Sequence, residues 1–460
     1  LHNGVSVLGK TEHIHFIGIG GIGMSGLAVV FHNLKFRITG SDINCSEITE
    51  RLRKRGIKIV YNHKKENVIG ADVVIYTTAI TENNPEVNEA RRLGIPVIHR
   101  SELLAELTRM KISVCISGTH GKTTTTSLIS EILQKSSLSP TTVIGGVVKG
   151  KSQAHSGKGD YLVCEADESD KSFLRLLPAY AVITNIEAEH LDHYKNFDEI
   201  KENFVYFANH VPFWGCTFLC ADSPGNLEIR NNIHRRVVLY GLNEFAHLRG
   251  RDIQRKNFGS LFSVLYQDKS VGKFIINLPG RHNVTNGLAA IGVGLELGIA
   301  IEKIKQALVE FKGVHRRMEC IGKVNSIQIY EDYGHHPTEI AVTLQTFREY
   351  FPNRRIIAVF QPHRYTRTYY LFDQFALSFF YANIVIVTEI YAAHEIPIPG
   401  VSGEALTKRI TKEQDFVYHI PDFDGIIDFL KKNVKPNDII VILGAGNITK
   451  ISKQLLKELK

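Results

Sequence analysis

Val114-Cys115-Ile116-Ser117-Gly118-Thr119-His120-Gly121-Lys122-Thr123-Thr124-Thr125-Thr126 decides how the rest of the chain is read. It predicts an apolar strand over 112–116, a tight glycine turn, and a helix from near Lys122 to about Gln134. Such a turn aims backbone N–H groups and a helix N-terminus at one spot, which suits a polyphosphate. Lys122 would then sit on the β- and γ-phosphates and the Thr123 hydroxyl on Mg²⁺. Ile116 stands where the common G-x-x-x-x-G-K-[ST] loop has its first glycine, so the generic pattern is not met. The order of strand, G-K-T and threonine-rich helix start is still the one that phosphate binding needs.

Working outward, 460 residues are too many for one ordinary core, and a prior of about 150 residues per domain predicts several domains. A composition of 43% hydrophobic and 22% charged residues is that of a globular protein. The sequence holds no apolar run of about 18 residues, so no membrane span is expected. No signal-peptide zones precede the first strand. Six cysteines, at 45, 115, 164, 216, 220 and 320, are scattered and several fall in apolar strands. They read as buried thiols in a reducing compartment, hence a cytoplasmic chain. Cys216 and Cys220 form C-x-x-x-C, with no second pair to complete a zinc site. The net charge is +8, yet Lys and Arg are spread without a basic run or an RNA-binding signature. Attraction to a phosphorylated small molecule is the better use of that charge than nucleic acid.

Upstream, His13 to Ile17 predicts a strand running into Gly18-Ile19-Gly20-Gly21-Ile22-Gly23, a G-x-G-x-x-G turn. The next strand, 37–39, empties into Asp42, where a dinucleotide fold carries its ribose-binding acid. Taken alone this suggests a nicotinamide dehydrogenase. A glycine turn reports only that N–H groups can approach a diphosphate, so a nucleotide sugar fits as well. Strands at 73–77 and 97–99 continue the alternation, with Thr78 and Arg100 just past their ends, where open α/β sheets bind ligands.

Downstream, 161–165 predicts a strand emptying into Glu165-Ala166-Asp167-Glu168-Ser169-Asp170, whose acids can reach Mg²⁺ beside the phosphates. A strand at 181–186 leads to Glu187, Glu189, His190, Asp192 and His193, a metal or proton-transfer edge. The stretch 252–278 alternates polar and apolar residues and predicts an inserted antiparallel hairpin. A helix begins near Asn283, which either caps it or shares a face with Asn286, so that both amides meet an adenine edge. Lys312 to Glu319 reads as a charged linker able to deliver an arginine to a phosphate. From about 320, strands at 327–330, 356–360, 384–387 and 439–443 predict a third doubly wound sheet. Its strand ends carry Glu331 to Pro337 and Gln361 to Thr368. The second of these holds two arginines three apart beside a histidine, which suits a carboxylate. Gly444 to Asn447 reads as a tight turn without separate function.

Together these groups resemble the Mur ligase family. The resemblance rests on 18–26 (GIGGIGMSG), 118–125 (GTHGKTTT), 165–170 (EADESD), 184–187 (TNIE), 190–192 (HLD), 280–283 (GRHN), 332–339 (DYGHHPTE) and 360–367 (FQPHRYTR). The last two are the motifs of the alanine-adding branch. His394 and Asn447 depart from the family pattern, which has Gly and Asp there. The shortened phosphate loop is the family's own form. The resemblance implies three α/β domains: a Rossmann-like UDP-sugar domain over 1–107, a central P-loop ATP domain over 108–314, and a doubly wound amino-acid domain over 315–460. It implies ATP-driven joining of L-alanine to the lactyl carboxylate of UDP-N-acetylmuramate through an acyl phosphate, releasing ADP and phosphate, in peptidoglycan precursor synthesis.

Carried over by position, the resemblance implies the following roles. Gly118, Thr119, His120, Gly121, Lys122, Thr123 and Thr124 hold phosphates, and Thr123, Glu165 and His190 hold Mg²⁺. Asn283 and Asn286 hold adenine, Asp332 the ribose, and Arg317 the γ-phosphate. Lys122, Glu165, His190 and Arg317 carry the chemistry. Gly18, Gly20, Gly21, Ile22, Gly23, Asp42, Thr78 and Arg100 contact the UDP sugar. Tyr333, His336, His363, Arg364 and Arg367 lie on the acceptor side. The rival readings are a recycling ligase that adds a tripeptide to the same sugar nucleotide, and a nicotinamide oxidoreductase led by Gly18 to Gly23. The oxidoreductase leaves Lys122, Thr123 and Glu165 without a role. A non-catalytic nucleotide sensor or nucleic-acid binder would rest on net charge alone.

Overall fold

The computed structural model of the protein describes residues 8–81, 83–146, 149, 154–189 and 193–459. The chain divides into two compact units. One contains the chain up to Ile253 with Leu261–Ile276 and Val284–Lys312, and the other contains Gln254–Ser260, Asn277–Asn283 and the chain from Gly313 onward.

The first unit opens with a five-stranded sheet of β1 (His13–Ile17), β2 (Arg37–Ser41), β3 (Lys58–Val60), β4 (Val73–Tyr76) and β5 (Val97–His99), in the order β3-β2-β1-β4-β5. All its pairings are parallel. Every residue of β1 is buried, as a central parallel strand covered on both faces requires. The strand order reverses beside β1, and the crevice at that switch point lies where β1 runs into the glycine turn.

A ten-stranded sheet follows: β6 (Ile112–Ser117), β7 (Thr141–Val143), β8 (Ala154–His155), β9 (Tyr161–Glu165), β10 (Tyr180–Ile183), β11 (Cys216–Cys220), β12 (Val237–Gly241), β13 (Leu248–Arg255), β14 (Ser260–Tyr266) and β15 (Lys269–Ile276). Its order is β15-β14-β13-β12-β11-β10-β6-β9-β7-β8. Again β6 is the switch strand, parallel to β10 on one side and β9 on the other, and the phosphate loop leaves its C-terminal end. The stretch 252–278 holds the expected hairpin, β14 and β15 joined through Gln267 and Asp268, and this hairpin is part of the sheet. The whole stretch forms most of β13, β14 and β15, which extend this sheet, with β13 joined to β12 in parallel at Tyr240↔Leu248. Alternating polarity identifies a strand but not its neighbour, so the local pattern did not show that the hairpin is joined through β13 to β12. The turn before β15 has φ of 49° at Gln267 and 60° at Asp268, the left-handed pair that a tight hairpin turn needs.

The second unit is built on β16 (Glu319–Val324), β17 (Ile327–Asp332), β18 (Ile356–Phe360), β19 (Ile384–Val387), β20 (Val417–His419) and β21 (Ile439–Leu443), in the order β16-β17-β21-β18-β19-β20. Only β16 runs antiparallel to its neighbour. β18, β19 and β21 are buried throughout, between one apolar cluster around Phe347, Phe360 and Phe375 and another around Ile357, Ile427 and Leu455. The edge strands β16 and β20 were not among the strands expected from the sequence, and β20 is only 3 residues long. Among the described residues no helix is long and apolar enough to cross a membrane. Cys115, Cys164, Cys216 and Cys220 are buried as expected, whereas Cys45 and Cys320 are exposed.

Candidate active site

The phosphate loop takes its shape from the strand beside it. Gly118 has φ of 130°, and a Cβ there would lie 2.8 Å from the Asn185 carbonyl oxygen. Asn185 accepts from Thr119 N through its carbonyl (3.0 Å) and from His120 N through Oδ1 (2.8 Å), while Thr184 Oγ1 donates to the His120 carbonyl at 2.6 Å. This is why β10 ends at Ile183 and not at 186: from Thr184 on, the chain braces the loop. With the Thr119 and His120 amides held by Asn185, the donors aimed outward are those of the first helical turn, Lys122 to Thr124, which no intrahelical carbonyl can reach. That helix runs Lys122–Lys135 behind Gly121, whose φ is 82°.

Lys122 Nζ donates to Glu168 Oε1 at 2.7 Å, to Gly118 O at 2.5 Å and to Thr119 O at 3.2 Å. Burial opposes its charge, but the Glu168 and Asp167 carboxylates outweigh burial and hold the amine above its ordinary range. Burial raises Glu168 to about 7 even against the pull of Lys122. Glu165, at the end of β9, is raised by burial and hydrogen-bonds the Thr123 hydroxyl, and its Oε1 accepts from Gly145 N at 3.0 Å. A carboxylate beside a hydroxyl at the N-terminal end of the helix is a hard-oxygen set that fits Mg²⁺. His190, the third expected ligand, lies outside the described residues. Asn286 Oδ1 accepts from Thr125 Oγ1 at 3.2 Å and packs against Gly121. Asn283 does not cap its helix. It is the third residue of Arg281–Glu296, and its Nδ2 donates to Pro279 O at 2.7 Å.

At the glycine turn, Gly18 N and Ile19 N donate to the Ser41 carbonyl at 2.8 and 3.0 Å. Asp42 braces the same turn, its Oδ2 accepting from Gly20 N at 2.8 Å and its Oδ1 from Asn44 N at 2.9 Å. Gly21 precedes the helix that opens at Ile22, and Thr78 is exposed past the end of β4. Arg100 comes closest to joining two sites: its Nη2 lies 3.4 Å from Asp167 Oδ2, and a Cβ on Gly23 would lie 3.2 Å from its Nη1.

In the second unit, the segment read as a charged linker is largely folded in. Arg317 Nη1 lies 3.2 Å from Glu339 Oε1, and its guanidinium sits 5.3 Å from the centre of the Tyr333 ring. Asp332 is buried at the end of β17 and accepts from Met318 N (2.8 Å) and Gly334 N (2.7 Å). Burial raises its carboxyl, and Arg317 works against that rise. Arg316 donates to the carbonyls of Gly444 and Gly446, so the terminal glycine turn does have a partner. His336 caps the helix Pro337–Tyr350 through Nδ1, which accepts from Thr338 N at 3.3 Å. His363 stacks on Tyr391 with ring centres 5.5 Å apart. Burial, with His335, Arg367 and Arg364 adding to it, lowers His363 to about 3, so it is neutral at physiological pH. Arg367 Nη1 donates to the His363 carbonyl at 3.3 Å. Arg364 Nε donates to Glu395 Oε1 at 2.5 Å, and Glu395 also accepts from Thr366 N and Oγ1 at 3.0 and 2.7 Å. Sequence reasoning gave no role to Asn185, Glu339 or Glu395. Glu395 follows β19, so the strand-end rule was the one signal available. The His394 departure falls in left-handed backbone with φ of 71°, where glycine is favoured.

Family models match residues 13–112 (Mur ligase family, catalytic domain), 116–294 (Mur ligase middle domain) and 316–446 (Mur ligase, glutamate ligase domain). The UDP-N-acetylmuramate–L-alanine ligase of Desulfatibacillum aliphaticivorans is 48% identical over 449 residues, covering 97% of this chain and 98% of the relative. Among solved structures, the UDP-N-acetylmuramate-alanine ligase MurC of Thermotoga maritima has a TM-score of 0.81 at 30% identity, over 97% of this chain and 98% of that one. The murein peptide ligase of Psychrobacter arcticus has a TM-score of 0.72 at 25% identity, over 97% and 98%. The glycine turn, the braced phosphate loop, the sheet orders and these near-full-length likenesses agree, and the chain belongs to the Mur ligase family.

Proposed function

We propose that the protein is an ADP-forming ligase that joins L-alanine to the lactyl carboxylate of UDP-N-acetylmuramate, using ATP and Mg²⁺, in the cytoplasm. The observation that carries this reading is the neighbourhood of Arg100. Within one compact unit it lies between the glycine turn at Gly23 and the acidic turn at Asp167, so a diphosphate site and a triphosphate site adjoin. A nicotinamide oxidoreductase has no use for the second site. Near-full-length relatives named for the alanine reaction support the choice of acceptor over a tripeptide. We assign 1–107 to the sugar nucleotide, 108–314 to ATP and 315–460 to the amino acid.

ATP supplies the phosphoryl group that makes a carboxylate oxygen a leaving group, and Mg²⁺ supplies charge that spreads the phosphate's negative potential. The lactyl carboxylate attacks the γ-phosphorus to give an acyl phosphate, and the alanine amine then displaces phosphate. Two anions must meet in the first step, so fixed cations are this chain's main contribution. Lys122 turns from Glu168 to the β- and γ-phosphates, and the 122–124 amides hold the same oxygens. Thr123 and Glu165, with His190, would hold the metal. Arg317, kept in place by Glu339 and Tyr333, is the cation for the γ-phosphate, and Asp332 the ribose acceptor. Arg364 and Arg367 hold the carboxylate of L-alanine beside neutral His363, with Tyr333 and His336 completing that side.

The test is ADP release measured with each substrate omitted in turn. Release should require both UDP-N-acetylmuramate and an amino acid, and L-alanine should far exceed the tripeptide. AMP as product, or turnover that ignores the sugar nucleotide, overturns the reading.

A further inference from the structure

Beneath the glycine turn lies a run of buried polar side chains that the reaction does not use. Glu86, in the helix Pro85–Arg92, has no exposed surface, and His15 on β1 and Ser41 on β2 are almost as enclosed. Glu86 Oε2 faces Ser41 Oγ at 2.7 Å and His15 Nε2 at 3.2 Å, and Oε1 faces Asn67 Nδ2 at 2.6 Å and His63 Nδ1 at 3.3 Å. The chain continues on the far side of His15. Its Nδ1 is 2.8 Å from Thr39 Oγ1, which is 2.8 Å from His13 Nε2, and His13 Nδ1 is 2.6 Å from the Gly70 carbonyl oxygen.

The protons in this chain can be counted. Four links join Gly70 O, His13, Thr39, His15 and Glu86, and each link needs one proton. The carbonyl and the carboxylate at the two ends bring none. Two neutral imidazoles and one hydroxyl bring three in all. The Thr39 hydroxyl can donate to one ring only, so the other ring must donate to it and must also carry a proton on its remaining nitrogen. With Glu86 ionised, one imidazole is therefore doubly protonated, and the buried carboxylate is neutralised within the chain.

We infer that the chain from Gly70 to Glu86 holds one proton more than its neutral side chains supply and acts as a positioning device for the glycine turn, so that sugar-nucleotide binding weakens when this proton is lost at alkaline pH. The inference rests on the function proposed above for that turn. The connection is one residue long: Ser41 gives its hydroxyl to Glu86, and its carbonyl accepts from Gly18 N and Ile19 N. The other titratable groups that face the chain are His63, Asp72, which accepts from His13 N, and Arg37 beside His13. Burial lowers His13, the hydrogen bond to the Gly70 carbonyl works against that fall, and Arg37 adds to the fall. Burial works to raise Glu86, but hydrogen bonds from His15, Asn67 and Ser41 outweigh it and hold the carboxyl below its usual range. Without the extra proton one link must break, and the strand ends that fix the turn lose a constraint.

The test uses the full chain labelled with ¹⁵N-histidine. Long-range ¹H–¹⁵N spectra at about pH 8, well above the ordinary histidine range, should show a histidine with both ring nitrogens protonated, absent from His15→Asn. Thr39→Val, which removes the hydroxyl that forces the count and leaves Glu86 untouched, should lose that signal, as should Glu86→Gln. In Glu86→Gln the KM for UDP-N-acetylmuramate should rise about tenfold, the size of one lost buried hydrogen bond to a charged group. The kcat and the KM for ATP should hold. Calorimetric affinity for UDP-N-acetylmuramate should fall with rising pH in the wild type and be flat in Thr39→Val. Neutral rings throughout the wild type at that pH, or a doubly protonated signal that survives Thr39→Val, overturns the inference. If the signature is present and UDP-N-acetylmuramate does not bind, the ligase reading fails and the proton count stands.

Discussion

Replacing Lys122 by methionine removes the amine but keeps most of the stem. Two effects follow with different pH signatures. In catalysis, loss of a preorganised charge at the developing negative charge costs about 3 kcal/mol, or a factor of roughly 150 in kcat. In folding, Glu168 loses the cation 2.7 Å away. Burial already places its carboxyl at about 7 against an ordinary 4.5. A carboxyl with a raised folded-state value binds its proton more tightly when folded. Its contribution is therefore fully present below the ordinary value and is lost as pH rises through that interval. In the wild type this loss is complete a little above neutrality. Without Lys122 the carboxyl rises further, so the loss continues upward at roughly 1.4 kcal/mol per pH unit. The variant should thus fold almost as well as wild type at about pH 6, because a proton substitutes for the amine, and be some 2 kcal/mol worse at about pH 8.5. Coupled ADP release at saturating substrates measures the first effect, and urea denaturation at the two pH values measures the second. A kcat within about threefold of wild type would remove Lys122 from the phosphates. A stability difference that does not change with pH would refute the Lys122–Glu168 argument.

Gly121→Ala places a Cβ 2.7 Å from Asn286 Oδ1 at a φ of 82°. It should cost about 1–2 kcal/mol in denaturation and raise the KM for ATP more than that for L-alanine, and a shift confined to the acceptor would contradict it. Glu395→Gln removes the charge that holds Arg364 and Thr366. Its KM for L-alanine should rise about tenfold with little change for the sugar nucleotide, and an unmoved KM would detach Arg364 from the acceptor.

The phosphate loop was legible in the sequence because its requirements are local: an apolar strand, glycines that permit the turn, then lysine and threonine at a helix start. The Thr123 and Glu165 pair was legible for a related reason, since acids that follow a strand of the same sheet arrive at the same edge. What was not legible depends on which strands become neighbours. Residues 252–278 alternate as strands should, but nothing local says that they extend β12. Asn185 lies in a motif the family resemblance had marked, yet its bracing role appears only once β10 is beside β6. Arg317 falls in a run that reads as a charged linker able to reach a phosphate, and its packing partners are not legible there. It is half-buried, and Asp332 at the end of β17 and Glu339 on the helix after it supply counter-charge that sequence distance hides.

The missing first glycine of the generic phosphate loop has a practical corollary. Curvature here is held jointly by 118–120 and by Thr184 and Asn185, some 65 positions later in the chain. Grafting only 116–124 onto another scaffold would carry the signature residues without the support that bends them. Conversely, drift at Thr184 or Asn185 would distort the loop to which we assign the nucleotide, although neither side chain need touch it.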